Sequence, residues 1–282
     1  MENTVSVVIP SIGSPDLLVA IASVLAQSFN LLEIIVVDDS LDSSVDLGDF
    51  SVDGLFKIST GGGKGPSTSR NLGTSIAKGS WIAYLDEDDE WLPNKISDQI
   101  SFAQKSGADL ILTSAIFYAK KRSLRPKILL TKNRSPIENL YDKPNLFKNH
   151  VYLPMSSVIV RKEIASKFPF DENLTERENL IFLEKIYQNG FSIIQMREFL
   201  TVINFDSNKS VSRIDLSTEI RWYETLSKEN FALANNFALE SSRNFIRVKN
   251  FSHARIMLKR IKIDSAKMFF YCSALKLLCL KN

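Results

Sequence analysis

Cysteine, histidine and long apolar runs are what this 282-residue sequence has least of. Its two cysteines, Cys272 and Cys279, have neither Cys-x-x-Cys spacing nor a nearby His pair. That excludes a zinc site and a disulfide framework, and leaves two free thiols that are buried or face a membrane. The two histidines, His150 and His253, sit in no triad-like context and no Gly-x-Ser-x-Gly elbow is present, so both read as structural or exposed. No stretch reaches the roughly 18–20 apolar residues of a membrane span. The start Met1-Glu2-Asn3-Thr4 lacks the basic-then-apolar layout of a signal peptide, and the expectation is a cytoplasmic protein. Disorder is excluded too, because 44% apolar and 24% charged residues with a mean hydropathy of −0.04 make an ordinary globular balance. At about 100–200 residues per domain, the length suggests one large domain with an appendage, or two domains.

The net charge of +3 conceals a division. Residues 241–282 hold ten Lys and Arg against one acid, Asp264, so that segment carries +9 and the remainder −6. A basic tail on an acidic body calls for an anionic partner at the tail.

Along the chain, Val5–Ile9 and Leu32–Val37 are short apolar, β-branched runs that read as buried strands. Between them Ser14-Pro15-Asp16 signals a helix start, and Leu17, Leu18, Ile21, Val24 and Leu25 recur at helical spacing. This βαβ unit puts polar groups at the carboxyl ends of its strands, where open α/β sheets bind ligands. Leu55–Ile58 reads as a short strand, Gly61–Gly65 as a flexible loop, and Ser67–Lys78 as a helix with Gly79 as C-cap. Trp81–Leu85 is another strand and runs straight into Asp86-Glu87-Asp88-Asp89. A helix after Pro93, strands at 109–118 and 156–161, a helix near 178–189 closed by Gly190, and one or two strands over 191–204 complete the pattern. From about residue 216 only helices are expected, which places a boundary between a domain over 1–215 and an extension over 216–282.

The acidic cluster is the most informative feature. Adjacent carboxylates repel one another unless a cation or a solvated turn relieves them. Mg²⁺ and Mn²⁺ take oxygen ligands and complete their shells with substrate phosphates. Taken alone, an exposed acidic turn is the commoner explanation. Its place after an apolar strand, at the sheet edge shared with Asp38 and Asp39, favours a cation site. Gly61–Gly65 is not a phosphate loop, because Lys64 is followed by Gly65 rather than Ser or Thr. No Gly-x-Gly-x-x-Gly follows the first strand, which disfavours a dinucleotide-binding domain.

Four motifs in order carry a resemblance: Val5–Pro10, Val36-Val37-Asp38-Asp39-Ser40, Gly65–Gly73 around Arg70-Asn71, and Ala77–Asp89. Together they resemble the family 2 glycosyltransferases, inverting nucleotide-sugar-dependent enzymes of the GT-A fold. A weaker match continues through Ser156–Arg161 and Phe170–Leu174 to Glu178, so the likeness covers about 1–215 and not the tail. It implies a Rossmann-like, mostly parallel α/β sheet flanked by helices. Asp39 would accept a hydrogen bond from the nucleobase, usually uracil. Pro10 and Ser11 would line the nucleotide pocket, with Arg70 near the base or diphosphate. Asp86 and Asp88 match the Asp-x-Asp element, with Asp88 the direct ligand to Mn²⁺ or Mg²⁺ and Asp86 holding the ribose or the metal shell.

The family keeps a Glu-Asp pair at a helix start, with the Asp as base, and here that pair is Glu178-Asn179. Asn179 cannot accept a proton in that role. Either Glu178 or Glu176 substitutes from the same turn, or the chain is a catalytically impaired, nucleotide-sugar-binding accessory subunit. Ile12 replaces a frequent aromatic and Ser40 the usual Gly after the Asp pair. The expected activity is transfer of a sugar, from UDP before other nucleotides, to a glycan or lipid-linked saccharide acceptor in surface polysaccharide synthesis. The basic, apolar 241–282 segment suits an anionic membrane surface on the cytoplasmic side, and the acidic body argues against nucleic acid. A soluble interaction domain is the remaining alternative, and it would bind no nucleotide with metal.

Overall fold

In the computed structural model the described residues are 3–42, 45–50, 52–118, 122–126, 129–141, 153–174, 176–204, 215–263 and 266–280. By internal packing the chain divides into one unit of residues 1–136 with 151–204, and a second of 137–150 with 205–282. The sequence suggested a single cut near 215. The structure instead assigns a short stretch around residue 140 to the C-terminal unit, where Asn236 Nδ2 donates to the Tyr141 carbonyl at 2.7 Å and Tyr141 packs edge-on against Phe237.

The first unit is built on one mixed sheet. Strands β1 (Val5–Ser11), β2 (Glu33–Asp38), β3 (Leu55–Ser59) and β4 (Trp81–Tyr84) are parallel, in the order β3-β2-β1-β4. β5 (Glu90–Trp91), β6 (Leu110–Tyr118), β7 (Arg122–Arg125), β8 (Val158–Arg161) and β9 (Ile193–Asn204) extend it with mostly antiparallel pairings beyond β4. The β-branched runs of β1 and β2 are buried along almost their whole length, as strands covered on both faces must be. Because β1, β2 and β4 are parallel, Ser11, Asp38 and the residues after Tyr84 emerge at one sheet edge. That edge holds every acid singled out from the motifs of the first 90 residues.

Helix α1 (Leu17–Leu25) turns Leu17, Ala20, Ile21 and Val24 inward at helical spacing. It starts later than Ser14 suggests, because Ser14-Pro15-Asp16 closes a turn: the Ser14 carbonyl accepts from the Leu17 amide, and its hydroxyl from the Asp16 amide. α2 (Pro66–Ile76) has Pro at its first position and crosses β1 and β2 at Gly73. A Cβ on Gly73 would lie 2.4 Å from Val8 Cγ1. α3 (Lys95–Ser106) ends on Gly107 in the left-handed region (φ +67°). α4 (Pro136–Tyr141) and α5 (Lys162–Lys167) are short, and α6 (Glu178–Gln188) is followed by Gly190 at φ +84°.

Gly79 is not the cap of α2 that the sequence suggested. The cap is Ala77, and Gly79 lies where the chain passes β1, its amide donating to Ser6 Oγ at 2.8 Å. A Cβ there would sit 2.6 Å from the Ser6 amide nitrogen and 2.9 Å from the Val5 carbonyl carbon, atoms that cannot yield without moving the strand. Gly79→Ala is therefore expected to cost about 1–3 kcal/mol and to lower Tm by roughly 3–10 °C. An unchanged melting curve would refute the close approach.

The second unit is helical, as the sequence suggests: α7 (Leu216–Glu229), α8 (Phe231–Arg247), α9 (Phe251–Arg260) and α10 (Ala266–Leu280). Asp215 and Asn230 cap α7 and α8 by accepting from backbone amides of the first turn. In α10, Met268, Cys272, Leu275 and Cys279 face inward, so both thiols are buried and neither is in a disulfide. Phe269, Phe270 and Leu277 lie outward, each about three-fifths exposed. No helix among the described residues is long and apolar enough to cross a membrane. His253 pairs with Asn250 and packs edge-on against Phe245, a structural placement, while His150 lies outside the described residues.

Candidate active site

The four acids after β4 are held in distinct ways. Asp89 is buried and accepts from Ser156 Oγ at 2.5 Å and from the Asn204 amide at 3.2 Å. Loss of solvation, then Asp86, pushes its pKa well above the usual carboxylate range. Ser156 also accepts from the Asp86 amide at 3.0 Å, while its carbonyl accepts from Trp91 Nε1 at 2.7 Å. Ser156 and Asn204 thus fix the acid turn from β8 and β9 sides of the sheet, roles that short-range sequence pattern does not reveal.

The sequence marks Glu87 only as a member of the acidic cluster, without a role of its own. Its carboxylate accepts from Ser11 Oγ at 2.6 Å, the Ile12 amide at 3.3 Å and the Ser14 amide at 3.0 Å. It therefore ties the loop after β1 to the acid turn. Pro10 is half-buried and Ser11 buried at this junction.

Asp39 has its carboxylate turned onto its own chain. It accepts from Thr60 Oγ1, from the Lys64 amide at 2.8 Å and from the Gly65 amide at 2.7 Å. A carboxylate has about four acceptor positions, so one remains on Oδ2. The glycine loop expected to be flexible is pinned by these bonds and by the Gly63 amide on the Asp39 carbonyl at 2.9 Å. Left-handed backbone at Gly61, Gly62, Gly63 and Gly65 makes the wrap feasible. Neighbouring Asp38 is buried, with Oδ1 taken by Ser40 and Lys57 Nζ 3.7 Å from Oδ2.

Arg70, which the resemblance places near the base or diphosphate, turns toward the acid turn. It is buried, and Nη2 donates to Asp86 Oδ1 at 2.6 Å. Nη1 lies 3.4 Å from Glu178 Oε1 and 3.3 Å from Asn179 Oδ1. Burial alone would lower its pKa, but Asp86 and then Glu178 more than offset that and raise it. One guanidinium thereby joins the acid turn to the start of α6. Glu176, the other carboxylate near that turn, sits 3.6 Å from Arg177. Arg177 itself is a non-glycine residue in the left-handed region (φ +60°), a conformation concentrated at functional turns.

Asp88 differs from its neighbours. It is exposed, and among the described residues no other residue donates a hydrogen bond to its carboxylate. Loss of solvation, then Asp86, with Glu87 and Asp16 adding, pushes its pKa up to about 6. A carboxylate destabilised by partial loss of solvation and by like charge, and lacking a donor, suits a hard cation. Among the described residues no three His, Cys, Asp or Glu side chains are grouped to cage an ion. The fit is therefore to a cation held by one or two carboxylates and completed by a phosphate ligand, with Asp88 foremost and Asp86 offering only the oxygen that Arg70 leaves free.

A family model described as glycosyl transferase family 2 matches residues 6–168. The chain belongs to this family. The matched stretch includes Pro10, Ser11, Asp39, Arg70, Asp86 and Asp88, and stops short of Glu178. Within the family, the chain is 38% identical over 103 residues to an Escherichia coli protein, UDP-Glc:alpha-D-GlcNAc-diphosphoundecaprenol beta-1,3-glucosyltransferase WfaP, a match spanning 36% of this chain and 41% of that protein. WfgD of Escherichia coli, which bears the same enzyme name, is 28% identical over 196 residues, 68% of this chain and 74% of its own. The putative teichuronic acid biosynthesis glycosyltransferase TuaG of Bacillus subtilis is 24% identical across 86% of this chain and 96% of its own. Among solved structures, S. aureus TarS 1-349 in complex with UDP-GlcNAc superposes with a TM-score of 0.63 at 17% identity, covering 99% of this chain and 73% of that one. At that identity the likeness establishes the fold, which is the GT-A type expected of a family 2 glycosyltransferase.

Proposed function

We propose that the protein is an inverting glycosyltransferase that moves a sugar from a UDP-sugar to a glycan or lipid-linked saccharide in surface polysaccharide synthesis. The observation that carries this reading is the Arg70 bridge, which brings a diphosphate-side acid, Asp86, and a base candidate, Glu178, to one guanidinium. Two relatives named for UDP-Glc and GlcNAc-diphosphoundecaprenol support that pair as the first donor and acceptor to try.

The nucleotide lies at the carboxyl edge of β1, β2 and β4, against Pro10 and Ser11. Its base meets Asp39 through the remaining Oδ2 position. Asp88, with Asp86, would hold Mn²⁺ or Mg²⁺, which would supply charge neutralisation at the departing diphosphate. The acceptor hydroxyl attacks the sugar C1 on the face opposite the leaving UDP. Glu178 takes the proton of that hydroxyl, and the C1–O bond to the diphosphate breaks as the new bond forms. Asn179 cannot take that proton, and Glu176 is turned to Arg177, so Glu178 is the carboxylate aimed at the site.

A panel of UDP-sugars, assayed for UDP release with Mn²⁺ and GlcNAc-diphosphoundecaprenol, tests the reading. Acceptor-dependent release from at least one donor is expected. UDP binding without turnover of any donor would favour an accessory, non-catalytic role.

The C-terminal unit suits attachment to an anionic lipid surface. Phe269, Phe270 and Leu277 form an exposed apolar strip on α10, and Lys259, Lys262 and Lys276 are exposed around the same helices. Apolar insertion plus basic residues is the combination that holds a helix at such a surface. Changing Phe269 and Phe270 to Glu should release the protein from phosphatidylglycerol vesicles, and unaltered partitioning would contradict the attachment.

A further inference from the structure

Consecutive side chains of α2, Arg70 and Asn71, grip the segment that leads to Glu178 from two directions. Asn71 Nδ2 donates to the Phe170 carbonyl at 3.0 Å, and its Oδ1 accepts from the Phe170 amide at 2.9 Å. One side-chain amide therefore satisfies both backbone groups of a residue 99 positions away. Nδ2 also donates to Glu172 Oε1 at 2.9 Å, and Thr68, one helical turn earlier, donates to Glu172 Oε2 at 3.0 Å. The Arg70 guanidinium lies over the Phe170 ring, 5.4 Å from its centroid, before it reaches Glu178 and Asn179.

Phe170 carries the grip into both halves of the site. Its ring stacks on Phe182 of α6, the helix that begins at Glu178, with centroids 4.1 Å apart and planes 8° from parallel. Edge-on at 5.4 Å it meets Tyr84, the last residue of β4, the strand that ends in the acid turn. A backbone held this closely is more than core packing requires, because Glu172 is exposed and Asn71 only half-buried, so the pair contributes little burial. What the grip does fix is the distance from the acid turn to the start of α6.

We propose that Arg70 and Asn71 are paired positioning residues that set Glu178 where an acceptor hydroxyl reaches it. This rests on Glu178 being the base. Displacing a catalytic group by about 1 Å can cost on the order of 10² in rate, and Asn71, unlike Arg70, touches none of the acids at the nucleotide edge. Loss of the Asn71 half of the clamp therefore lowers turnover and leaves nucleotide affinity alone.

The test uses full-length Asn71→Ala, Arg70→Lys and Glu178→Gln, each checked by thermal melting. UDP affinity is measured by calorimetry, and kcat with the UDP-sugar that turns over in the panel above. The clamp predicts that Asn71→Ala loses about 30–100-fold in kcat with UDP Kd within about threefold of wild type, and that Arg70→Lys, which also touches Asp86, loses at least as much kcat. Loss of UDP affinity in step with kcat in Asn71→Ala, or kcat held within about threefold in either folded variant, overturns it. Should Asn71→Ala fail to fold, the kcat of Arg70→Lys decides, because it keeps the charge between Asp86 and Glu178 and loses only the fork geometry. Wild-type turnover in Glu178→Gln would instead sink the base assignment itself. An inactive Glu178→Gln beside fully active clamp variants sinks the clamp and leaves the base standing.

Discussion

Glu178→Gln is expected to lower sugar transfer by about 10²–10⁴-fold, the usual share of a positioned general base, and to leave UDP affinity unchanged. The amide keeps the size of the side chain and can still accept from Arg70 Nη1, which lies 3.4 Å from Oε1 in the native protein. It cannot take a proton from an attacking hydroxyl. Steady-state turnover beside UDP calorimetry separates the two effects. Asn179→Asp makes the complementary variant, since it puts a carboxylate where the family pattern has one and where Arg70 Nη1 already lies 3.3 Å from the Asn179 side-chain oxygen. Full activity of Glu178→Gln would move the base to another group, with Glu176 next to be tried.

Asp88→Ala is expected to abolish the effect of Mn²⁺ on UDP binding. In the wild type, Mn²⁺ should tighten UDP by tenfold or more, about 1.4 kcal/mol, and the variant should bind UDP equally with Mn²⁺ or with chelator. Unchanged metal dependence would remove Asp88 from the cation site. The same residue gives a pH signature without metal. Its folded pKa of about 6 lies above the ordinary carboxylate value, so the fold favours the protonated acid. That contribution is present at low pH and is lost as pH rises through about 6, and buried Asp89 acts in the same direction. In chelator the wild-type Tm should therefore fall between pH 5 and pH 7 more steeply than that of Asp88→Ala. Parallel curves would show that Asp88 carries no such strain.

The sheet edge was legible in the sequence because its signals are local. The β-branched runs of β1 and β2 and the strand running into Asp86–Asp89 each announce themselves within a few residues. What was not legible depends on contacts between distant segments. Nothing near Gly79 reveals that its Cα passes the Ser6 backbone, so a glycine after a helix reads as a cap. Nothing near Arg70 reveals that it meets Asp86 and Glu178, 16 and 108 residues further along. Ser156 and Asn204 carry ordinary residue types in unremarkable contexts, and their roles, like that of Glu87 within the acidic cluster, come from groups that meet between distant segments. The glycine loop looked free because its restraint is a carboxylate some 25 residues earlier. The short strands β5 and β7 pair with β9 and β6 and carry too few residues to show a period.

The most direct measurement is the structure of the protein soaked with UDP and Mn²⁺. The account predicts cation density against the Asp88 carboxylate and the UDP diphosphate, with the uracil beside Asp39. UDP bound elsewhere, or bound at that edge with the cation away from Asp88, would contradict it.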